Sequence, residues 1–506
     1  MNFRPRAFHD IVARLAFALL CAIALAGCAS LPPPELREPV TAFAEPQATT
    51  LGRLAASAAA APDLSGFRLL VSGEDAFGAL AALADHAERS LDLQYYLVRS
   101  DASSHALMRR VLAAAHRGVR VRLLLDDLNT AGQDAGLLRL TAHPNIEVRL
   151  YNPFPAGRMS TLARVLASIT DISRINQRMH NKLSVADNAL AITGGRNVGD
   201  AYFVHSVQSN FVDIDIVVAG PAVRQLSASF DSFWNSPMSY PAKAVVDMDP
   251  PSAEADTPLP AAASIPSVSF AEELSRNELT LEWAPSEVFA DKPIDKPIKA
   301  QGISGDVASL LRTAQKEVIL ISPYFVPGER GVAMARELTQ RGVKLRVLTN
   351  SLASTDAPVV HIGYAHYREA LLALGVELHE LHPHLGAPRG IIGAFGSSQA
   401  SLHAKVVVID GKTALVGSMN MDPRSRRLNT EMAVLVHSSA IAQRLIEVYD
   451  EVCASSYRVS LAEDKTLRWS SSGPGAPPPA TSEPEAGLWL KLAVKLLTPF
   501  APEELL

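Results

Sequence analysis

The chain has 506 residues, of which 48% are hydrophobic, and a formal net charge of −5. This length exceeds that of one ordinary domain, and the hydrophobic fraction is sufficient for sizeable cores. The net negative charge argues against a global basic field that would draw the protein to nucleic acid. Three cysteines rule out a disulfide framework.

The N-terminus is predicted to be a targeting segment. Three arginines precede an uncharged run over residues 15–27, which is too short to span a bilayer and suits a signal-peptide core. The run ends in Leu25-Ala26-Gly27-Cys28, which resembles a bacterial lipobox, and Ala29 then favours the outer membrane. The pattern predicts a lipoprotein signal peptide over 1–27 and lipidation of Cys28. An ordinary signal peptide or a buried apolar segment is the alternative.

Residues 28–65 are rich in alanine, proline and threonine, a composition that predicts a tether between the membrane and the first folded half. From residue 66 onward, apolar runs typical of strands alternate with an amphipathic helix. Strands are predicted over 91–96, 119–125 and 146–151, and a helix over 106–117. Strands and helices at this spacing predict βαβ units.

The same order of elements returns later in the chain. Strands are predicted over 318–321, 343–348 and 376–381, with a helix that ends at Arg341. We therefore interpret the chain as an internal duplication, with halves at 66–240 and 301–460 that pack about a pseudo-two-fold axis. Residues 241–300 are the predicted connecting segment, and its proline- and alanine-rich part, 250–266, is expected to be irregular.

The last segment, residues 461–506, is predicted to be a tail with one amphipathic helix. Residues 487–498 are largely apolar, with Trp489 near their start. Lys491 and Lys495 are four residues apart and so lie on one helical face. The pattern favours a short helix at a membrane interface, and a helix packed on the protein body is the alternative.

Two ungapped copies of one pattern carry the candidate chemistry, in residues 179–197 and 402–420. A lone His-x-Lys usually marks a solvated strand edge, but two complete copies argue strongly for a functional site. The first copy contains His180, Lys182, Asp187, Gly194-Gly195 and Asn197, and the second contains His403, Lys405, Asp410, Gly417-Ser418 and Asn420.

Each copy is predicted to be a β-hairpin, because Asp187-Asn188 and Asp410-Gly411 are turn pairs between apolar runs. On a strand, a histidine and a lysine two residues apart project from one face. Lysine supplies positive charge, small residues let backbone N–H groups approach, and asparagine adds a hydrogen bond, which together suit a phosphate group. The predicted phosphate-binding residues are Gly195, Asn197, Ser418 and Asn420.

Acidic residues stand at the start of a later strand in each half. A carboxylate held against a histidine ring nitrogen fixes the tautomer and stabilises the imidazolium. We predict this orienting role for Glu431 and Asp213, with Glu431 paired to His403 and Asp213 paired to His180. Asp215 is the alternative in the first half, because it shares a strand face with Asp213.

The motif aspartates, Asp187 and Asp410, lie at the hairpin turns rather than beside the histidines. Aspartate in a turn commonly accepts hydrogen bonds from nearby backbone groups. We therefore expect these two residues to have structural roles, although they belong to the same motif as the catalytic candidates.

The double pattern resembles the His-x-Lys-x4-Asp signature of the phospholipase D superfamily. Residues 194–203, 350–356 and 421–425 are also similar to motifs of bacterial cardiolipin synthases, especially the C-type branch, and the likeness covers roughly residues 66–460. The resemblance implies an α/β fold of two αβα halves with one shared active site. It also implies that no metal or other cofactor is needed. The motif residues that it assigns to catalysis are His180, Lys182, Asp187, His403, Lys405 and Asp410.

The resemblance further implies phosphatidyl transfer through a phosphohistidine. The expected product is cardiolipin, made from phosphatidylglycerol and a second phospholipid, for which phosphatidylethanolamine is one candidate. By the same resemblance, His180 is expected to be the nucleophile and His403 the acid–base group. The hydroxyl of Ser418 agrees with this assignment if it lies near the leaving oxygen on the side of His403.

Two other activities remain open from the sequence. Hydrolysis to phosphatidic acid uses the same residues, with water as the acceptor. A nuclease of the same superfamily is disfavoured by the net charge and the predicted lipid anchor, so no nucleic acid partner is expected. The expected location is the bacterial cell envelope, on the outer membrane facing the periplasm.

Overall fold

The computed structural model describes residues 31–33, 37–168, 171–246, 269–293, 302–385, 397–471 and 478–498. The predicted signal peptide, Cys28 and the predicted irregular stretch 250–266 lie outside these residues. The strands of the first half and the connecting segment are β1 (Ser65–Leu70), β2 (Ser90–Tyr95), β3 (Arg120–Asp126), β4 (Ile146–Tyr151), β5 (Arg178–Met179), β6 (Leu183–Ala186), β7 (Leu190–Gly194), β8 (Ser209–Val212), β9 (Asp215–Ala219), β10 (Ser239–Pro241), β11 (Glu282–Ala284) and β12 (Ser286–Ala290).

The second half and its tail contain the remaining strands. These are β13 (Glu317–Ile321), β14 (Lys344–Asn350), β15 (Glu377–Leu381), β16 (Gln399–Leu402), β17 (Val406–Ile409), β18 (Thr413–Gly417), β19 (Asn429–Thr430), β20 (Met432–Val436), β21 (Ser456–Leu461) and β22 (Leu467–Ser470).

Helices accompany the strands in both halves. They are α1 (Thr50–Ala58), α2 (Gly73–His86), α3 (Ala102–His116), α4 (Asp134–Leu140), α5 (Thr161–Ala167), α6 (Ile172–Ile175), α7 (Pro221–Trp234), α8 (Ala242–Val245), α9 (Ser269–Ser275), α10 (Ile303–Arg312), α11 (Gly328–Gln340), α12 (Pro358–Ala373), α13 (Pro423–Arg427), α14 (Ser439–Ala454) and α15 (Leu488–Leu497).

Each half contains a nine-stranded sheet, and the central strands of the two sheets have the same order. One sheet has the order β10-β4-β3-β2-β6-β7-β9-β1-β11, and the other has β12-β20-β18-β17-β13-β14-β15-β21-β22. In each sheet the first strand of the βαβ unit, β2 or β13, pairs in parallel with the next strand, β3 or β14, and antiparallel with the first strand of the hairpin, β6 or β17. The predicted α/β duplication is therefore confirmed.

A shared apolar core joins the two sheets. Buried valines of the first hairpin and of β9 pack in one cluster with valines of β17 and β20, and helices α7 and α14 contribute their largest side chains to it. Trp234 of α7 and Tyr449 of α14 are fully buried there. This core places the carboxyl ends of the central strands of both halves around one region of the molecule.

The predicted hairpins form around strained turns. Asp187 and Asn188 have φ of 54° and 52°, and Asp410 and Gly411 have φ of 53° and 63°. Two consecutive residues with positive φ make the turn whose twist matches that of the flanking strands. Aspartate, asparagine and glycine tolerate this conformation better than other residues, which explains the turn pairs.

The tether prediction is wrong for its later part. Residues Pro46–Ala48 form a 3₁₀ turn and lead into α1, whose N-cap residue Thr49 accepts a hydrogen bond from the Gly52 N–H group. Leu51 and Ala55 are buried in the core of the first half. Although the segment is rich in small residues, it has enough apolar side chains on one helical face to dock on the sheet.

The connecting segment is also more structured than its composition suggested. Helix α9 packs on α2, while β11 extends the first sheet next to β1 and β12 extends the second sheet next to β20. The predicted tail likewise begins with a sheet strand, because β22 pairs with β21. Among the described residues, no helix is long and apolar enough to cross a membrane.

Candidate active site

The two histidines lie where short strands from opposite halves pair. Strand β5, which leads into His180, pairs in parallel with β19 of the second half, with Met179 opposite Thr430. Strand β16, which leads into His403, pairs in parallel with β8 of the first half. The backbone N–H groups of His180 and His403 then donate to carbonyls of the opposite half, Thr430 O at 2.9 Å and Val212 O at 2.8 Å respectively.

These strand pairs bring each histidine beside an acid from the other half. His180 Nδ1 lies 2.9 Å from Glu431 Oε2, and His403 Nδ1 lies 2.6 Å from Asp213 Oδ2. The residues are aligned by register, since Glu431 and Asp213 each follow the partner strand by one residue. The structure thus contains two crossed histidine–carboxylate pairs.

The crossed arrangement corrects the predicted pairing. Both orienting acids were identified from the sequence, but the prediction paired Glu431 with His403 and Asp213 with His180. The rival acid, Asp215, accepts hydrogen bonds from the backbone N–H and guanidinium of Arg196, at 3.1 and 3.2 Å, and is not bonded to a histidine. Arg196 also donates to the backbone carbonyl of Asp213, so it bridges the two residues while only the Asp213 carboxylate reaches a histidine.

The histidines and lysines occupy links between strands rather than a strand itself, which corrects the local prediction. Residues 180–182 and 403–405 each connect a cross-half strand to the hairpin. Lys182 Nζ donates to His180 O at 2.6 Å, and Lys405 Nζ donates to His403 O. The lysine of each motif remains beside its histidine because it folds back onto that residue's carbonyl.

The site is buried and holds charged groups of both signs. His180 and His403 are 7% and 5% exposed, and the two lysines are 2% and 4% exposed. Burial lowers the pKa of His180 and of both lysines; the charge of Lys405, from the other motif, adds to this lowering at His180, whereas the charge of Glu431 opposes it at both lysines. The two motifs therefore share one electrostatic environment, as a site for a single phosphodiester requires.

Burial determines the charge states of the motif residues. It lowers the pKa of His180 to about 4, with the charges of Lys182 and Lys405 acting in the same direction. Burial, followed by the charge of Lys405, also lowers the pKa of His403. A neutral imidazole whose Nδ1–H points to a carboxylate leaves Nε2 with a free lone pair. Both rings are thus prepared to act through Nε2.

The orienting acids remain ionised despite their burial. Burial favours the neutral form, but the charge of His180 and its hydrogen bond hold the pKa of Glu431 below its usual value. His403 has the same effect on the pKa of Asp213. Ionised carboxylates stabilise the imidazolium that forms when a histidine takes up a proton.

The pH dependence follows from the lysines. Burial lowers the pKa of Lys182 to about 7 and that of Lys405 to about 8. Because a lowered ammonium pKa means that charge is lost as pH rises, kcat/KM is expected to fall above pH about 7, first with Lys182 and then with Lys405. It should not fall between pH 7 and pH 5, where His180 stays neutral. A pH–rate profile that is flat from pH 7 to pH 10 would contradict this assignment.

The two motif asparagines are buried at the same site. Asn197 Nδ2 donates to the Tyr202 hydroxyl at 3.0 Å. The Oδ1 atoms of Asn197 and Asn420 have no hydrogen-bond partner among the described residues. Rotation of either amide would present its NH₂ group instead, and such a donor is suited to a phosphate oxygen. Their predicted phosphate-binding role remains a prediction that this placement allows.

The corner residues Gly195 and Ser418 serve the acids in this structure. A Cβ atom at Gly195 would lie 2.1 Å from Asp213 Oδ1, so glycine leaves the space that Asp213 occupies. The Ser418 hydroxyl donates to Glu431 Oε2. Ser418 therefore lies on the side of His180, and its predicted position near the leaving oxygen beside His403 is wrong. The two corners therefore differ, glycine against serine, together with the acid that each one contacts, aspartate against glutamate.

Sequence reasoning missed several residues of the site. Ser425 donates to Glu431 Oε1 at 2.8 Å, so two hydroxyls hold that carboxylate. Tyr96 packs edge-on against His180 with ring centroids 5.0 Å apart, and Tyr202 packs against His403 at 5.3 Å. Ser425 lies in the matched stretch 421–425, which was the available signal. Tyr202 ends a 3₁₀ turn inside the matched stretch 194–203, which was an available signal as well, whereas Tyr96, the residue after β2, has no local signal.

Asp187 and Asp410 lie at the turn end of the hairpins, away from the histidines. Asp187 accepts hydrogen bonds from the backbone N–H groups of Glu88, Arg89 and Ser90, and Asp410 from those of Gln315, Lys316 and Glu317. Each carboxylate thus fixes the residues that enter the adjacent strand. Their placement in the catalytic set is corrected, and the expected structural role fits the geometry.

Replacement of Asp187 should therefore affect stability more than chemistry. Asp187→Ala leaves three backbone donors without their carboxylate, and its free energy of unfolding is expected to fall by about 2–4 kcal/mol. The equivalent Asp410→Ala should cost less, because Asp410 is more exposed. Urea denaturation measures both effects. Unchanged stability with lost turnover would instead place Asp187 in the reaction.

Side chains that could bind a metal ion are not clustered at the site as the structure describes it. Within the described part of the chain, no group of three or more histidine, cysteine, aspartate or glutamate side chains is arranged to hold a metal ion. The imidazole Nδ1 atoms are instead engaged with Glu431 and Asp213. Each histidine is therefore held by a carboxylate of the protein through its Nδ1 atom.

Comparison with known proteins matches both halves. The family model described as "Cardiolipin synthase, PLD-like domain" matches residues 80–234 and 307–453. The protein named cardiolipin synthase C of Escherichia coli is 38% identical over 466 residues, which cover 88% of this chain and 97% of that protein. The cardiolipin synthase of Geobacillus kaustophilus is 25% identical over 384 residues, covering 76% of this chain and 65% of that protein.

A solved structure shares the fold. The crystal structure of phosphatidylserine synthase from Haemophilus influenzae matches 90% of this chain and 100% of its own, with a TM-score of 0.56 and 12% identity. At this identity the likeness concerns the fold alone. It agrees with the two-sheet duplication described above.

Proposed function

The chain belongs to the phospholipase D-like cardiolipin synthase family, and on that premise we propose that it makes cardiolipin from phosphatidylglycerol and a second phospholipid. It is a phosphatidyltransferase of the phospholipase D type. The observation that best supports the proposal is the pair of crossed histidine–carboxylate contacts, His180–Glu431 and His403–Asp213. Each contact needs both halves, so one site with two differently used histidines results from the duplication.

In the first step, His180 Nε2 attacks the phosphorus of the donor lipid. A P–N bond forms and the P–O bond to the departing headgroup breaks, while the imidazolium of His403 gives its proton to the leaving alkoxide. The phosphodiester anion favours the protonated form of His403 and offsets the effect of burial. The result is a phosphatidyl group on His180 and a neutral His403.

In the second step, the acceptor alcohol enters. His403 takes the hydroxyl proton as the oxygen attacks phosphorus, and the P–N bond to His180 breaks. The charged oxygens of phosphorus are stabilised by Lys182, Lys405 and the amides of Asn197 and Asn420, in a site that is nearly closed to bulk water. If the acceptor is phosphatidylglycerol, the product is cardiolipin, whereas water would give phosphatidic acid.

Two surface features support a membrane as the partner. Helix α15 has no buried residue, and Trp489 and Leu488 on it are 81% and 79% exposed. Lys495 and Lys491 add positive charge that suits anionic lipid headgroups. The helix contacts α12 on one side, but its exposed apolar side chains support the interfacial interpretation rather than full burial on the protein body.

Further exposed apolar side chains lie on segments that enter or border the active site. Ile172 lies shortly before β5, the strand that leads into His180, and Val207 lies in the loop that leads to Asp213. Val359 lies three residues after Asp356, whose charge acts on His403. Met159 and Leu162, which are 87% and 70% exposed, belong to the same link between β4 and β5 as Ile172. We propose that these exposed apolar side chains and α15 contact the bilayer together.

The anchor at Cys28 is proposed on the lipobox pattern alone. The Cys28→Ser variant is expected to remain an unprocessed precursor that takes up no radioactive palmitate. It should keep weak, reversible membrane binding through α15. Normal processing and unchanged labelling would rule out lipidation at this residue. With the lipid anchor, the protein would face the periplasm from the outer membrane.

The reaction is tested by lipid analysis. Purified protein is given vesicles of labelled phosphatidylglycerol, with or without phosphatidylethanolamine, and the chain is expressed in parallel in a bacterial strain that lacks cardiolipin. Labelled cardiolipin in both settings is the expected result, and His403→Ala is the inactive control. Phosphatidic acid as the main product in both would show that the enzyme is a hydrolase.

A further inference from the structure

The internal duplication offers a comparison between equivalent helices. In the first half, α2 and α3 pack directly against each other, on either side of β2 in the chain. In the second half, α10 and α11 hold the same positions around β13, but a groove with a volume of about 850 Å³ lies between them. The same βαβ unit is therefore closed in one half and open in the other.

Residue size explains the difference. The buried faces of α2 and α3 consist largely of small residues, which let the two helices approach closely. These residues are Gly73, Ala76, Gly78, Ala79, Ala81, Ala82 and Ala84 of α2, and Ser103, Ser104, Ala106, Ala114 and Ala115 of α3. In contrast, α10 buries only Ile303, Val307 and Leu311. In addition, α9 covers α2 in the first half.

The groove has an apolar floor and positive charge beside it. Its floor includes Leu311, Phe325, Met334 and Leu338. It extends from Phe325, beyond the carboxyl end of β13, to Leu345 at the start of the parallel strand β14. The groove therefore runs along the full length of these two strands. Its volume lies within the range of roughly 300–1,000 Å³ that is usual for small-molecule sites.

The groove is lined by more basic than acidic side chains. The guanidinium of Arg312 is paired with Glu337 at 3.6 Å. Arg330, Arg426 and Arg427 also line the groove, and the remaining acid there is Asp422, which caps α13. The charged residues that line the groove are thus four arginines and two acids, next to an apolar floor.

The groove borders the loop that carries a motif asparagine. Met419 and Met421, on either side of Asn420, contribute to its wall. The Val326 N–H group donates to Met421 O at 2.8 Å, which ties this loop to the end of β13. A ligand in the groove would therefore lie against the protein segment that forms one side of the active site.

We propose that this groove binds the acceptor phospholipid, with one acyl chain on the apolar floor and its phosphodiester near the arginines. The proposal rests on the proposed function, because transfer to phosphatidylglycerol requires two lipids and therefore two phosphates. The donor phosphate occupies the histidine pair, so the acceptor phosphate needs a second cationic place. The acceptor headgroup hydroxyl then reaches His403 past Asn420. Water as an acceptor would need no such groove.

The proposal predicts a selective defect when the groove is filled. Ala333 is exposed on α11 and lines the groove, so Ala333→Trp fills it without disturbing the core. Ala113 is exposed on α3, the equivalent helix of the first half, and Ala113→Trp is the matched control. Cardiolipin formation from labelled phosphatidylglycerol vesicles is expected to fall about tenfold or more in Ala333→Trp and to be unchanged in Ala113→Trp.

A soluble acceptor separates this proposal from the reaction itself. With labelled glycerol as the acceptor and unlabelled phosphatidylglycerol as the donor, Ala333→Trp should form labelled phosphatidylglycerol at the wild-type rate, because donor cleavage does not use the groove. Arg330→Gln is a second variant outside the core and should raise the KM for phosphatidylglycerol as acceptor several-fold. Equal losses with glycerol and phosphatidylglycerol, or no loss in either variant, would overturn the proposal. Wild-type protein that forms only phosphatidic acid would instead overturn the proposed function.

Discussion

His180→Ala and His403→Ala are each expected to lower kcat for cardiolipin formation by about 10⁴-fold or more while the protein stays folded. The reason is that each histidine has a separate task at one phosphodiester. Without His180 no covalent intermediate forms, and without His403 the leaving alkoxide receives no proton. Turnover of labelled phosphatidylglycerol and circular dichroism of each variant measure activity and folding.

A suitable control removes a buried histidine outside the site. His361 is 4% exposed and lies 3.0 Å from an Arg368 nitrogen, so His361→Ala removes a comparable ring without touching the motifs. This control should keep most of its activity per folded molecule. Substantial turnover in either motif variant would show that the two motifs do not act as one site.

The crossed pairs predict how the acids should behave. Asp213→Asn and Glu431→Gln should each lower kcat by about 10²–10⁴-fold, since a neutral amide cannot stabilise the imidazolium. A donor with a good leaving group, such as a nitrophenyl phosphatidyl ester, no longer needs a proton from His403. It should therefore restore formation of the intermediate in Asp213→Asn, as in His403→Ala, but not in Glu431→Gln.

The rescue pattern distinguishes the crossed arrangement from pairing within each half. Rescue of Glu431→Gln but not of Asp213→Asn would mean that Glu431 serves His403, contrary to the observed contacts. Asp215→Asn is the matched control, because that carboxylate binds Arg196 and no histidine. Its activity should change similarly with both donors.

Local patterns in the sequence predicted the elements that carry the motifs. Strand β4 has the predicted bounds, Ile146–Tyr151, and β2, β13, β14 and β15 differ by one or two residues at their ends. The turn pairs at Asp187 and Asp410 occur where expected, because positive φ at consecutive positions restricts the residues that fit. Periodicity and turn chemistry are local, and so one sequence is sufficient to locate them.

Contacts between the halves could not be derived in the same way. The pairing of β5 with β19 involves two residues of each chain segment, too short a run to have a recognisable pattern. Both acids follow their strands in the same manner, so neither spacing nor composition shows which histidine each one meets. The crossing results from the way in which two complete sheets pack through a shared core.

The small residues Gly195 and Ser418 have a different structural role from the predicted one. Glycine next to a candidate phosphate site suggested backbone approach to a ligand, whereas Gly195 makes room for Asp213. Ser418, at the equivalent position, reaches Glu431 from the opposite corner. A sequence indicates that a position must be small, but the neighbour that requires the space comes from a distant part of the chain.

The most direct test of a two-histidine site with distinct roles is to trap the covalent intermediate. Wild-type protein is mixed with labelled phospholipid, quenched within one turnover, digested and analysed by mass spectrometry for phosphohistidine. The label is expected on the peptide that contains His180, and it should accumulate in His403→Ala when the donor has a good leaving group. Label on the peptide that contains His403 in the wild-type protein would contradict the assignment of the nucleophile.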